Sequence, residues 1–123
     1  MRSQYKISDA EYEVLEMLWK CEGAVKQTEL MQMFVAEGKE WKRQTLNTLI
    51  KRLEEKGLIE RRARVLKPVY SKIEYGNMQM KETIEQIYDG KLSLFLASFS
   101  EQGEISDSER VEILQMLEQM KKE

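Results

Sequence analysis

Within the first 57 residues, apolar side chains recur in three runs at three- and four-residue steps, and a glycine closes each run. Ala10, Val14, Met17 and Leu18 line one face of a helix that stops near Gly23. Leu30, Met33 and Phe34 mark the inner face of a second, expected from Lys26 to Glu37 and ended by Gly38. Leu46, Leu49, Ile50 and Leu53 form the stripe of a third, expected from Lys42 to Lys56 and ended by Gly57. Helices this short are marginal alone in water, so the three must pack against one another. Ser8-Asp9-Ala10-Glu11 is a capping box that fixes where the first begins: the Ser8 hydroxyl accepts an orphan N–H and Glu11 reaches back.

After Gly57 the pattern changes. Leu58–Arg64 and Pro68–Ile73 are expected as two short strands, with Val65-Leu66-Lys67 as the loop between them and Pro68, the one proline, at a strand start. Three helices followed by a basic hairpin is the winged form of helix-turn-helix. The expected fold is therefore mostly α with a small β-hairpin wing, extended by a C-terminal helical arm. The expected division is 1–73 for the winged helix and 74–123 for the arm.

The arm reads as further helices. Met80, Ile84 and Ile87 (or Tyr88) share a face within Met78–Tyr88, and Asp89-Gly90 interrupts. Leu92, Leu94, Phe95, Leu96 and Phe99 follow, then Gly103, then a second capping box at Ser106-Asp107-Ser108-Glu109 before Val111, Leu114, Leu117 and Met120. About 50 residues without a disulfide or metal do not fold alone. Ile84, Ile87, Leu92, Phe95, Leu96, Phe99, Val111, Leu114 and Leu117 are thus expected to pack between two copies of the chain. The competing possibility is an arm folded back on its own winged helix.

Charge separates the two parts. The net charge of −2 conceals ten basic against three acidic residues between Lys42 and Lys72, whereas Ile73–Glu123 carries five against eleven. Such asymmetry points to a nucleic-acid face joined to a part with another job. The third helix opens Lys42-Arg43-Gln44-Thr45-Leu46-Asn47-Thr48, polar on the side away from Leu46. Arg and Lys pair with guanine, Gln and Asn with adenine, and Thr uses its hydroxyl or methyl. Arg43, Gln44, Thr45 and Asn47 are the candidates for base contacts. Lys51 suits a phosphate, and Arg61, Arg62, Arg64 and Lys67 on the hairpin suit adjacent phosphates or the minor groove. Arg52 can instead pair with Glu55 or Glu11.

Other classes of function find little support. Histidine is absent, which removes the commonest general base and transition-metal ligand. Cys21 is alone, so no intrachain disulfide or cysteine-based metal cluster forms; it reads as a helix-end residue rather than a redox sensor. Met31, Met33, Met78, Met80, Met116 and Met120 sit at helical spacing, as core or interface fillers rather than soft-metal ligands. Neither catalysis nor a cofactor nor a metal is expected. No apolar run approaches a membrane span, and the first residues lack a secretory core, so the expected compartment is the cytoplasm.

Two stretches carry a resemblance. Ile7-Ser8-Asp9-Ala10-Glu11-Tyr12-Glu13-Val14-Leu15-Glu16-Met17-Leu18-Trp19 is one; Trp41 followed by Thr45-Leu46-Asn47-Thr48-Leu49-Ile50-Lys51-Arg52-Leu53-Glu54-Glu55-Lys56-Gly57-Leu58-Ile59 is the other, with Val69-Tyr70-Ser71 matching the second wing strand. The chain resembles the penicillinase-repressor family over nearly its whole length. That resemblance implies a homodimeric transcriptional repressor on a palindromic DNA operator. It also implies induction by a protease cutting the arm in a β-lactam signalling pathway, with Ser98–Phe99 the equivalent bond. Lys42, Arg43 and Gln44 depart from the family's usual Ser-Pro-Lys, and Asn47 replaces a common basic residue, so the operator of better-known members does not carry over to this chain. Copper-responsive members carry a C-terminal Cys-x-Cys motif, which this chain lacks. On the residues alone, a ligand-sensing winged helix and a winged helix that binds only protein remain open.

Overall fold

The computed structural model describes residues 6–103 and 105–120. It divides into two compact units, Met1–Met80 and Lys81–Glu123. The first holds α1 (Asp9–Lys20), β1 (Val25–Lys26), α2 (Gln27–Ala36), α3 (Arg43–Glu55), β2 (Ile59–Arg62), β3 (Val65–Pro68) and the opening turns of α4 (Lys72–Ile87). The expected boundary at residue 73 falls in the first turn of α4, and that same turn contributes Tyr75 to the core.

The three stripes meet as their spacing requires. Leu18, Leu30, Ile50, Leu53 and Leu66 are fully buried, with Phe34 and Leu46 beside them. Leu15, outside the expected stripe of α1, is equally buried, because α1 packs against both α3 and the sheet and needs a wider apolar face. Each large side chain buried in this way contributes about 1.5–3 kcal/mol before entropy is subtracted.

Helix ends follow local chemistry. The backbone N–H of Glu11 donates to Ser8 Oγ at 3.1 Å, but the Glu11 carboxylate accepts from the Ser8 hydroxyl rather than from its backbone. Gly57 closes α3 with a φ of +74°, its N–H donating to the Glu54 carbonyl while that of Leu58 donates to the Leu53 carbonyl. This pairing satisfies two orphan carbonyls and needs a residue that tolerates the left-handed region. Gly38 does the same for α2.

The wing differs from expectation. Val65-Leu66-Lys67 is not the loop but the body of β3, and the turn is Ala63-Arg64, with φ values of 50° and 67°. Leu66 decides the matter: it is fully buried opposite Arg61, and a loop would have exposed it. Pro68 ends its strand instead of starting it. Val69 still donates to the Leu58 carbonyl at 3.0 Å, but the chain then turns into α4. Two further elements escape the pattern of the sequence. β1 is only two residues long and pairs with β3, giving an antiparallel order of β1-β3-β2. α4 begins six residues before Met78, opened by a reciprocal cap between Ser71 and Glu74. Tyr75 on this turn packs on Trp19 and Tyr12, and Trp19 Nε1 donates to the Tyr70 carbonyl at 2.9 Å.

The second unit takes in the end of α4, α5 (Leu92–Gln102) and α6 (Asp107–Met120). Asp89 and Gly90, both at positive φ, end α4, and Ser106 Oγ caps α6 by accepting from the Glu109 N–H. Tyr88, Phe95 and Phe99 stack edge to face at 5.5 and 5.1 Å between centroids. Among the described residues of this unit, none is buried.

Candidate nucleic-acid interface

α3 is amphipathic in a way that fixes what it displays. Leu46, Leu49, Ile50 and Leu53 anchor it in the core, which turns Arg43, Gln44 and Asn47 outward. β1 then matters beyond its length. By pairing Val25 with Leu66 it brings the start of α2 beside the tip of the wing, and the Gln27 N–H donates to the Arg64 carbonyl at 2.9 Å. The result is an open groove of about 1050 Å³ with three walls: Gln27, Thr28, Met31 and Gln32 from α2, Arg43, Gln44, Leu46 and Asn47 from α3, and Arg61, Ala63 and Arg64 from the wing. Three guanidinium groups line it, and no carboxylate does.

The structure brings Arg43, Gln44, Asn47, Arg61 and Arg64 together here. Lys42, Thr45, Thr48 and Lys51 are exposed but outside the groove's lining, and the Thr48 hydroxyl is engaged with the Gln44 carbonyl at 3.0 Å. The basic run of the hairpin is split by strand alternation. Arg61 points to the helix side, whereas Arg62 and Lys67 lie on the opposite face with Glu60 and Ala24 around a smaller hollow of about 290 Å³. Arg62 is almost free of the protein, with Glu60 at 3.6 Å.

Arg61 is tied down. Its Nη2 donates to Glu54 Oε1 at 3.1 Å, and its Nη1 donates to Asn47 Oδ1 at 3.0 Å and Gln27 Oε1 at 3.4 Å. Gln27 Nε2 closes the ring by donating to Asn47 Oδ1 at 3.3 Å. Gln27, Thr28 and Gln32 were not among the expected site residues; the signal available was the polar opening of α2, which matters only once β1 is known.

A second ion pair serves the scaffold. Glu11, rather than pairing with Arg52, accepts from Lys56 Nζ at 2.8 Å. Burial alone would raise its carboxyl, but hydrogen bonds from Lys56 and Ser8 and the Lys56 charge outweigh that and hold it below the ordinary value of 4.5.

The residues expected to pair two chains are distributed over the second unit. Ile87 and Leu114 are more than half exposed, and Leu92, Val111 and Leu117 nearly so. Ile84, Phe95, Leu96 and Phe99 are half-buried. Ser98 and Phe99 lie inside α5, and the Ser98 hydroxyl donates to the Phe95 carbonyl at 2.7 Å. Among the described residues, no helix is long and apolar enough to cross a membrane and no acidic, His or Cys cluster is arranged for a metal. Cys21 Sγ lies 3.7 Å from Met33 Sδ, against the core.

Three helices, a strand between the first two and a two-stranded wing after the third define a winged helix-turn-helix protein. A profile of the penicillinase repressor family matches residues 7–119. The penicillinase repressor of Bacillus licheniformis is 28% identical over 125 residues, spanning 98% of this chain and 96% of that one. The methicillin resistance regulatory protein MecI of Staphylococcus aureus strain N315 is 32% identical over 119 residues, spanning 92% and 94%. The solution structure of the DNA binding domain of the repressor BlaI matches 58% of this chain and 90% of its own, at 28% identity and a TM-score of 0.48. The chain belongs to the penicillinase repressor family, a family of transcriptional repressors.

Proposed function

We propose that this protein is a sequence-specific DNA-binding repressor that acts as a homodimer on a palindromic operator. The observation that carries this reading is the carboxylate-free groove, where the start of α3 presents Arg43, Gln44 and Asn47 between α2 and the wing. A recognition helix uses its first turns in the major groove. Arg43 and Gln44 reach base edges there, Arg64 and Lys51 meet phosphates, and Arg62 and Lys67 offer charge on the other face of the wing. Repression is steric: the bound dimer covers a promoter, with most of its affinity coming from phosphates and falling with salt.

The second unit supports pairing, because Ile87, Leu92, Val111, Leu114 and Leu117 remain largely exposed within one chain. Symmetry then matches two recognition helices to half-sites about one helical turn or a multiple apart. Induction proceeds by proteolysis between Ser98 and Phe99, in a β-lactam type of pathway. The bond sits inside α5, and a protease takes an extended strand, so local unwinding of this helix precedes the cut.

Selection of bound duplexes from a random library with the full-length protein tests the first claim. An enriched palindrome, bound at least about 10³-fold tighter than unrelated duplex, is the expected result. Equal affinity for all duplexes would mean a basic surface without sequence reading.

A further inference from the structure

We propose that Arg61 is a positioning residue that locks the Asn47 amide so that only its NH2 group faces the groove, giving Asn47 a preference for guanine over adenine. This rests on the DNA-reading function proposed above and names the base that one residue selects.

The argument begins with what a guanidinium can do. Arg61 only donates, so the Asn47 atom 3.0 Å from its Nη1 is the oxygen. Gln27 is fixed by the same logic. Its Oε1 accepts from Arg61 at 3.4 Å, which leaves its Nε2 to donate to Asn47 Oδ1 at 3.3 Å. Asn47 Oδ1 therefore accepts twice from within the protein. Its Nδ2 hydrogens donate to no described residue and remain for a ligand.

The clamp is held from behind. Arg61 Nη2 is paired with Glu54 at 3.1 Å, and Glu54 lies two turns beyond Asn47 on α3. One guanidinium thus spans both turns from a half-buried position on β2, and the strand pairing of Arg61 with the fully buried Leu66 fixes where it starts. Charge-assisted bonds of this kind are stronger than those between neutral groups.

The consequence is chemical. Bidentate reading of adenine needs one acceptor for N6–H and one donor for N7; reading of guanine O6 and N7 needs donors only. A free asparagine serves adenine. With its oxygen engaged, Asn47 offers donors alone. The guanidinium that an exposed-charge count assigns to a phosphate is, in this arrangement, neutralised by Glu54 and directed at the amide.

Selection from a random duplex library with full-length wild type, Asn47→Ala, Arg61→Ala, Arg61→Lys and Arg62→Ala separates the roles. Asn47→Ala identifies the operator position that Asn47 reads. At that position wild type should favour guanine over adenine by about fivefold or more. Arg61→Ala and Arg61→Lys should both erase or reverse that preference, since lysine keeps the charge but lacks the fork that holds amide and Glu54 together. Selection reports only molecules that bind, so partial unfolding lowers yield without changing the favoured base. In a salt titration on the enriched duplex, Arg61→Ala should leave the slope of log affinity against log salt nearly unchanged, whereas Arg62→Ala should reduce it by about 0.9 if that residue holds a phosphate. An adenine preference in wild type overturns the proposal. So does an unchanged base preference in both Arg61 variants, or a slope that falls by about 0.9 in Arg61→Ala. Failure of wild type to enrich any motif is a different result, which removes the DNA-reading function itself.

Discussion

The two units use similar materials to different ends. Both are built from short helices, each unit has one opened by a serine cap, and residues at positive φ close several of them. In the first, α1, α2, α3 and the sheet surround one another, and every buried hydrophobic side chain of the described structure lies there. In the second, α5 and α6 also carry apolar stripes, but none of their described residues is buried. Helical periodicity alone does not create a core. A third layer is needed to cover the faces that two short helices leave open, and the first unit has it in the small sheet with Leu66 and Ile59. A unit without that layer has its apolar face available for a second copy.

The sharpest way to break this contrast is to cut the second unit. A specific protease site engineered between Ser98 and Phe99, cleaved to completion, should weaken operator binding by about 10²-fold or more, because tethered half-site contacts become independent. Mobility shift before and after cleavage measures it; unchanged affinity and an intact dimer after the cut would contradict the role given to the arm.

Core substitutions come next. Ile50→Ala should cost about 2–5 kcal/mol, independent of protein concentration, since this side chain is fully buried within one chain. Leu114→Ala should cost more at high than at low protein concentration, because Leu114 is 52% exposed in the single chain and gains burial in the proposed dimer. Thermal melts over a hundredfold range of concentration read both. The same concentration dependence for the two variants would erase the distinction.

A smaller effect belongs to the scaffold. The folded-state pKa of Glu11 is lowered, so its contribution is fully present above the unfolded value near 4.5 and is lost as pH falls through the folded one. Lys56→Met should cost about 1–3 kcal/mol at neutral pH, and part of that loss should recover as pH falls, because burial then raises the folded-state pKa of Glu11 and protonation relieves the unpaired carboxylate. Glu11→Gln should flatten the pH dependence in the same range. Denaturant unfolding between pH 3 and 7 checks the sign.

Much of the first unit was legible in the sequence because its signals are local: Ser8, Gly38 and Gly57 mark helix ends, and three stripes at helical spacing define what packs. The wing was harder. A two-residue turn at positive φ is usually marked by Asn or Gly, and Ala63-Arg64 carries no such mark, so the first strand was expected too long and the second several residues too late. β1 left no trace because two residues have no period. Of the groove, Arg43, Gln44, Asn47 and Arg64 could be named from the opening of α3 and the charge of the hairpin. Gln27 and the inward turn of Arg61 could not, since both depend on strand register and on pairing between distant segments. The Ser71–Glu74 cap of α4 was readable by the rule that located Ser8, but it fell within residues assigned to a strand.

The central claim is that one unit reads DNA and the other joins two readers. It is tested most directly by the stoichiometry of the full-length protein on duplexes carrying one or two copies of the selected half-site. Light scattering of the complexes, followed across protein concentration, should show two chains per two-site duplex, bound in a single cooperative step and at least about 10²-fold tighter than the one-site duplex. One chain per duplex, with equal affinity per site on both, would contradict the account.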